Sequence, residues 1–149
     1  MTTKQQLYIK CQDFLNNRLK SIQHTIFDIQ NSLHSETKSS AGDKHETGRA
    51  MLQLEREKAG HQLAELQKLN KAFDKIDVKT KHTTVVLGSL VMTTQFNYFI
   101  AISAGEIQLG EKKYYAISAV TPMAQLLISK QVGAHIQFRD SKFTITEIH

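Results

Sequence analysis

Between Lys4 and about His34 the apolar residues recur at helical intervals. Leu15, Leu19, Ile22, Ile26, Ile29 and Leu33 step by 4, 3, 4, 3 and 4 positions, and the places between them are mostly polar, as at Asn16, Asn17, Arg18, Lys20, Gln23, Asp28 and Gln30. A 4,3 alternation keeps one stripe of a helix turned toward a partner helix, so the spacing predicts a heptad seam. Thr2 or Thr3 can cap the start of this helix, with Gln5 or Gln6 reaching back to the cap. Residues 35–44, SETKSSAGDK, break the pattern as a turn does. From His45 to about Asp74 a second helical pattern follows, in which Leu66, Leu69, Phe73 and Ile76 repeat the 3, 4, 3 spacing and Leu52, Ala59 and Leu63 extend it less regularly. Two single-striped helices joined by a short turn predict an antiparallel hairpin, a coiled coil over about residues 3–76, with Ile22, Ile26, Ile29 and Leu33 facing Leu52, Leu63, Leu66 or Leu69. The same stripe would also suit a helix that pairs with a second copy of the chain.

Past residues 77–84 the period falls from helical to two. VVLGSLVMTT, YFIAIS, KYYAIS, AHIQF and KFTITEI alternate, or run in β-branched and aromatic residues, and predict strands. Gly88, Gly105, Gly110 and Gly133 mark turns, and Pro122 precedes a helix-like MAQLLISK between the third and fourth of these strands. The expected class is therefore α+β: a helical hairpin over residues 1–78, its tip at about 36–46, then a small, mainly antiparallel β domain with one short helix over residues 79–149.

Composition narrows the functions available. With 40% apolar and 22% charged residues the 149-residue chain is of ordinary globular type. The net charge of +5 favours acidic partners, nucleic acid or acidic protein surfaces. No long basic block occurs and the aromatics do not alternate with lysines, so direct sequence-specific DNA binding finds no support. One cysteine, Cys11, excludes an intramolecular disulfide. The absence of an apolar run of about eighteen residues, and of a signal-type apolar stretch in the first twenty, leads us to expect a cytoplasmic protein with no membrane partner. His24, His34, His61, His82, His135 and His149 form no i, i+4 pair and have no cysteine partners, so no resident metal is expected.

Two segments carry a family resemblance. The turn reads Gly42-Asp43-Lys44-His45-Glu46, and the second half contains Val120-Thr121-Pro122-Met123-Ala124-Gln125-Leu126-Leu127-Ile128-Ser129-Lys130-Gln131-Val132-Gly133. These resemble the Gly-Asp-x-x-Glu tip and the Ser-Pro-apolar-Ala…Leu-Leu/Ile-Gly-Lys run of the Gre transcript-cleavage factors of bacteria, in the same order and over nearly the whole chain. The resemblance implies an FKBP-like C-terminal domain and RNA polymerase as partner, reached through the enzyme's secondary channel. The chain departs from the family where Asn-Ala-Glu-Tyr usually follows the tip glutamate and Thr47-Gly48-Arg49-Ala50 stands here. It departs again at Thr121 for serine, Ser129 for glycine and Ala134 for aspartate.

On this resemblance Asp43 and Glu46 are the site residues, acting in trans. The polymerase holds one Mg²⁺, and the two tip carboxylates help to hold a second, with a water that hydrolyses backtracked RNA. The free protein would carry no cofactor and would be an accessory factor rather than an enzyme. Lys44 and Arg49 would meet RNA phosphates at the nascent 3′ end or the acidic channel wall, and Thr121, Pro122 and Met123 would contact the polymerase rim. Helices of about thirty residues span about 45 Å, enough to cross a deep channel. The residues themselves leave alternatives open. An Asp followed three residues later by Glu is also a helix-capping arrangement, and Pro122 is also a first-turn proline with Met123 in the core. An FKBP-type isomerase is not expected, because its pocket needs a tryptophan and the chain has none. Three functions stay in view: a monomeric cleavage-stimulating factor, a non-cleaving regulator in the same channel, and a coiled-coil scaffold.

Overall fold

The computed structural model describes the backbone of residues 1–38 and 42–149, and the side chains of residues 1–36 and 46–149. Two long helices open the chain, α1 (Thr3–Lys38) and α2 (Gly42–Asp74). A reciprocal cap fixes the start of α1: the Gln5 amide donates to Thr2 Oγ1 at 3.1 Å and the Thr2 amide to Gln5 Oε1 at 3.0 Å. Each bond satisfies an amide that the helix leaves without a partner. Both helices run further into the 35–44 segment than its broken apolar pattern predicts. Serine and threonine cost a helix only a few tenths of a kcal/mol each, and the segment holds no proline.

The chain divides into two compact units, Leu15–Lys71 and the combination of Met1–Phe14 with Ala72–His149. Within the first, Ile26 and Ile29 of α1 are buried with Ala59 of α2, and Ile22, Leu33, Leu52 and Leu63 pack around them. The seam expected from the heptad spacing thus closes inside one chain. Leu66 and Leu69 instead border a side groove with Ile22.

The second unit contains a six-stranded sheet of β1 (Leu90–Thr93), β2 (Asn97–Ala101), β3 (Gly105–Leu109), β4 (Lys112–Ser118), β5 (His135–Phe138) and β6 (Ser141–Ile148), with α3 (Pro122–Leu127) between β4 and β5. The spatial order is β3-β4-β2-β1-β6-β5. All pairings are antiparallel except β2 with β4, which run parallel with Tyr98 opposite Tyr115. The α+β class and the mainly antiparallel sheet agree with the period of two. Alternation places Val91, Tyr98, Ile100, Phe143 and Ile145 in one core with Ala124 and Leu127 of α3. Phe99 and Ala101 are buried as well, so β2 is covered on both faces. The same unit buries Leu7, Cys11, Phe73 and Ile76, and Tyr8 stacks on Phe73 with centroids 4.3 Å apart. Burial pushes the Cys11 thiol up to about 12, which removes it as a nucleophile at neutral pH.

Two local expectations are corrected. Strand β3 is absent from the strands predicted above, because this five-residue edge strand has only Ile107, buried, and Leu109, half-buried, against the exposed Glu106 and Gln108. The first predicted strand, in turn, begins at Leu90 and not Val85. Val86 and Leu87 are exposed in a loop that turns at Gly88 with φ +93°. A Cβ at Gly88 would come within 2.8 Å of Ile76 Cγ2, so both the backbone angle and the close approach call for glycine.

Candidate functional site

The hairpin end and the α3 entry are the two places the sequence singled out. Glu46 lies near the start of α2 with an exposed side chain, while the side chains of Asp43, Lys44 and His45 lie outside the described residues. The proposed Asp43–Glu46 cap lies outside them for the same reason. Across the hairpin α1 supplies a further acid: the half-buried Glu36 carboxylate lies about 3.6 Å from where a Cβ on Gly48 would stand. A spacing argument along one helix could not find Glu36, because ten residues and a helix reversal separate it from Glu46. Among the described residues no three His, Cys, Asp or Glu side chains converge as a metal site.

Arg49 is half-buried, and its Nη1 donates to the Leu33 carbonyl of α1 at 3.4 Å. Its guanidinium therefore helps to hold the helix pair together near the hairpin end. This is a position where the resembling family has an acidic side chain, so charge and role both differ there.

At α3 the chemistry expected of the loop separates residue by residue. Thr121 is the N-cap: its hydroxyl donates to the Ser118 carbonyl at 2.8 Å and accepts from the Ala124 amide at 3.3 Å. Proline suits the first helical position because its missing N–H would have no partner there. Pro122 is exposed, and Val120 beside it is 83% exposed. Met123 is half-buried and packs against the core. Of the three residues expected at the polymerase rim, Pro122 is exposed and Thr121 and Met123 are half-buried. The helix is shorter than MAQLLISK suggests, because Ile128 leaves the helical region with ψ 137°, and Ser129 follows with a left-handed φ of 74°. That is the position where the family has glycine, the residue for which this conformation is free of strain.

These elements define the class: an antiparallel helical hairpin joined to a small α+β sheet domain with a capped short helix. No protein-family model and no curated protein matches the chain. Among solved structures it is similar to the GreA factor homolog 1 (Gfh1) of Thermus thermophilus, with 17% identity over 91% of this chain and 92% of that one, at a TM-score of 0.37. It is also similar to Gfh1 of Thermus aquaticus, with 18% identity over 91% of each chain and a TM-score of 0.34. A further structure, of the transcription factor Gfh1, gives 17% identity over 91% of this chain and 90% of that one, at a TM-score of 0.35. At TM-scores below 0.5 these likenesses assign neither family nor function.

Proposed function

We propose that the chain is an accessory factor of bacterial RNA polymerase, which it enters through the secondary channel. Near the active centre its hairpin end assists hydrolysis of backtracked RNA. The observation that carries this reading is that the helix pair closes its own seam through Ile26, Ile29 and Ala59 and needs no second chain. The acids Glu46 and Glu36 are placed near its end. Helices of 36 and 33 residues are each about 50 Å long at about 1.5 Å per residue, and Leu15–Lys71 of the pair forms a unit of its own. The Gre-like tip and C-terminal segments support the reading, and the left-handed Ser129 fits the glycine of that pattern. A scaffold built on paired copies loses its main argument, since the stripe that would join them is already covered.

In this function the protein has no catalytic centre of its own. Asp43 and Glu46 supply negative charge to a second Mg²⁺ shared with the polymerase, which prefers one or two carboxylates and keeps several waters. A pair of ions about 4 Å apart stabilises the attacking and leaving oxygens of an in-line displacement. Lys44 and Arg49 add positive charge toward the RNA or the channel wall, and Pro122 with Val120 meets the rim. The place of action is the cytoplasm and the acting species is a monomer.

A second reading is a factor that occupies the same channel and regulates the polymerase without cleavage. It is favoured by Arg49, a cation bonded to the Leu33 carbonyl where the family places an acid. The experiment that separates the two uses stalled, backtracked elongation complexes with Mg²⁺. Under the first reading the protein accelerates RNA shortening, and Asp43→Asn or Glu46→Gln abolishes the gain while polymerase binding persists. Binding without acceleration at any Mg²⁺ concentration establishes the second reading. Failure to bind polymerase removes both.

A further inference from the structure

A cavity of about 450 Å³ opens beside the first turn of α1, inside the unit that holds the sheet. That volume is within the range of small-molecule sites. Its floor is apolar, made by Leu90 and Met92 of β1 and Tyr114 of β4. Its rim is cationic: Lys79 and Lys81 come from the segment after α2 and Lys112 from β4, all with exposed side chains. The rim carries one acidic side chain, Glu147, whose carboxylate lies 3.2 Å from His149 Nε2.

Lys4 makes this more than a solvated basic surface. It is 4% exposed and lines the cavity. Its ammonium donates to the Thr80 carbonyl at 2.9 Å and lies 3.4 Å from His82 Nδ1. Both are neutral partners, and an ammonium has three hydrogens to place. Among the described residues no carboxylate lies within ion-pair distance of Lys4, Lys79, Lys81 or Lys112. A buried charge is ordinarily matched by an opposite one, since its desolvation is otherwise uncompensated. Desolvation indeed holds the Lys4 ammonium below its usual range, with Asp77 offsetting only part of the effect. Four lysines thus line a concave, partly apolar space whose lining includes one acidic side chain, Glu147.

We infer that this cavity binds a small phosphorylated molecule, its phosphates on the lysine rim and a flat or apolar body against Leu90, Met92 and Tyr114. Phosphate suits the site because it carries more than one negative charge, against four lysines and one glutamate in the lining. This site is separate from the proposed polymerase function and stands whether or not that function holds.

The test uses the full-length protein and ADP as probe, with inorganic pyrophosphate and adenosine as its two halves, followed by calorimetry and by chemical shifts of the Met92 methyl and Tyr114 ring. ADP binds saturably and shifts both signals. Pyrophosphate binds more weakly than ADP, and adenosine does not bind. Lys79→Glu and Lys112→Glu, exposed positions that leave folding intact, each weaken ADP binding on the order of tenfold. Lys142→Glu, on β6 and away from the cavity, leaves it unchanged. No saturable ADP binding, or equal weakening by Lys142→Glu, overturns the site. Adenosine or pyrophosphate binding as tightly as ADP overturns the two-part ligand.

Discussion

Replacing Ile26 with aspartate tests the hairpin at its centre. Ile26 is 9% exposed and packs with Ile29 and Ala59. Removing a buried isoleucine side chain costs about 2–5 kcal/mol, the lost transfer energy together with the space left behind. Aspartate adds a polar cost, because its carboxyl group must either take up a proton or draw water into the seam. The expected loss is therefore about 4–6 kcal/mol for the helical unit, a large part of the roughly 5–15 kcal/mol that stabilises an ordinary domain. The neighbour Phe27 is 59% exposed, so Phe27→Asp should change stability by no more than about 0.5 kcal/mol. Urea unfolding followed by helical circular dichroism measures both, with sedimentation equilibrium reporting mass. The wild type and Phe27→Asp remain monomers, and Ile26→Asp shifts the helical transition strongly while the near-ultraviolet signal of the sheet persists. If the wild type is a dimer that Ile26→Asp dissociates with little loss of helix, the intramolecular seam is wrong.

Three further outcomes follow from local geometry. Ser129→Gly should stabilise the protein by about 1 kcal/mol, because φ 74° strains any residue with a Cβ; a rise of about 2–4 °C in thermal midpoint checks it. Gly88→Ala should destabilise by about 2–4 kcal/mol, combining φ +93° with a methyl 2.8 Å from Ile76 Cγ2, as a urea titration would read. His82 Nδ1 lies 2.9 Å from Ser89 Oγ and 3.4 Å from the Lys4 ammonium, which can only donate, so the ring nitrogen is the acceptor and the neutral ring is the one that fits. Burial first, and Lys4 second, hold His82 below the ordinary 6.5. A depressed histidine contributes stability above the unfolded value of 6.5 and loses it as pH falls through the folded value. The urea midpoint should accordingly drop on acidification below pH 6.5 in the wild type, and drop less in His82→Gln.

The helical seam was legible because a stripe that meets another helix must recur every three or four residues, and Ile22, Ile26, Ile29 and Leu33 do so without a gap. The start of α1 was legible from Thr2 and Gln5 for an equally local reason. Features set by distant contacts were not. Lys4 sits on the buried stripe one turn before Leu7, yet its type marks it as surface; only the Thr80 carbonyl and His82, far along the chain, account for its burial. Strand β3 was hidden because its alternation is short, with only Ile107 and Leu109 apolar in a five-residue edge strand. The parallel pairing of β2 with β4 depends on how β3 turns back along the sheet edge, which alternation alone does not encode. At the candidate site Glu46 was legible as an exposed acid near a helix start, whereas Glu36 required knowing which turn of α1 faces Gly48.

The central claim is that the hairpin end reaches the active centre of RNA polymerase. A photo-crosslinking amino acid at Thr47, exposed beside Glu46, tests it directly in backtracked complexes carrying RNA labelled at the 3′ end. The account predicts a crosslink from position 47 to the RNA 3′ segment, competed by unlabelled wild-type protein, with none from the same group placed at Lys142 on the sheet domain. Binding to polymerase with crosslinks from position 47 only to the enzyme's outer surface would contradict it.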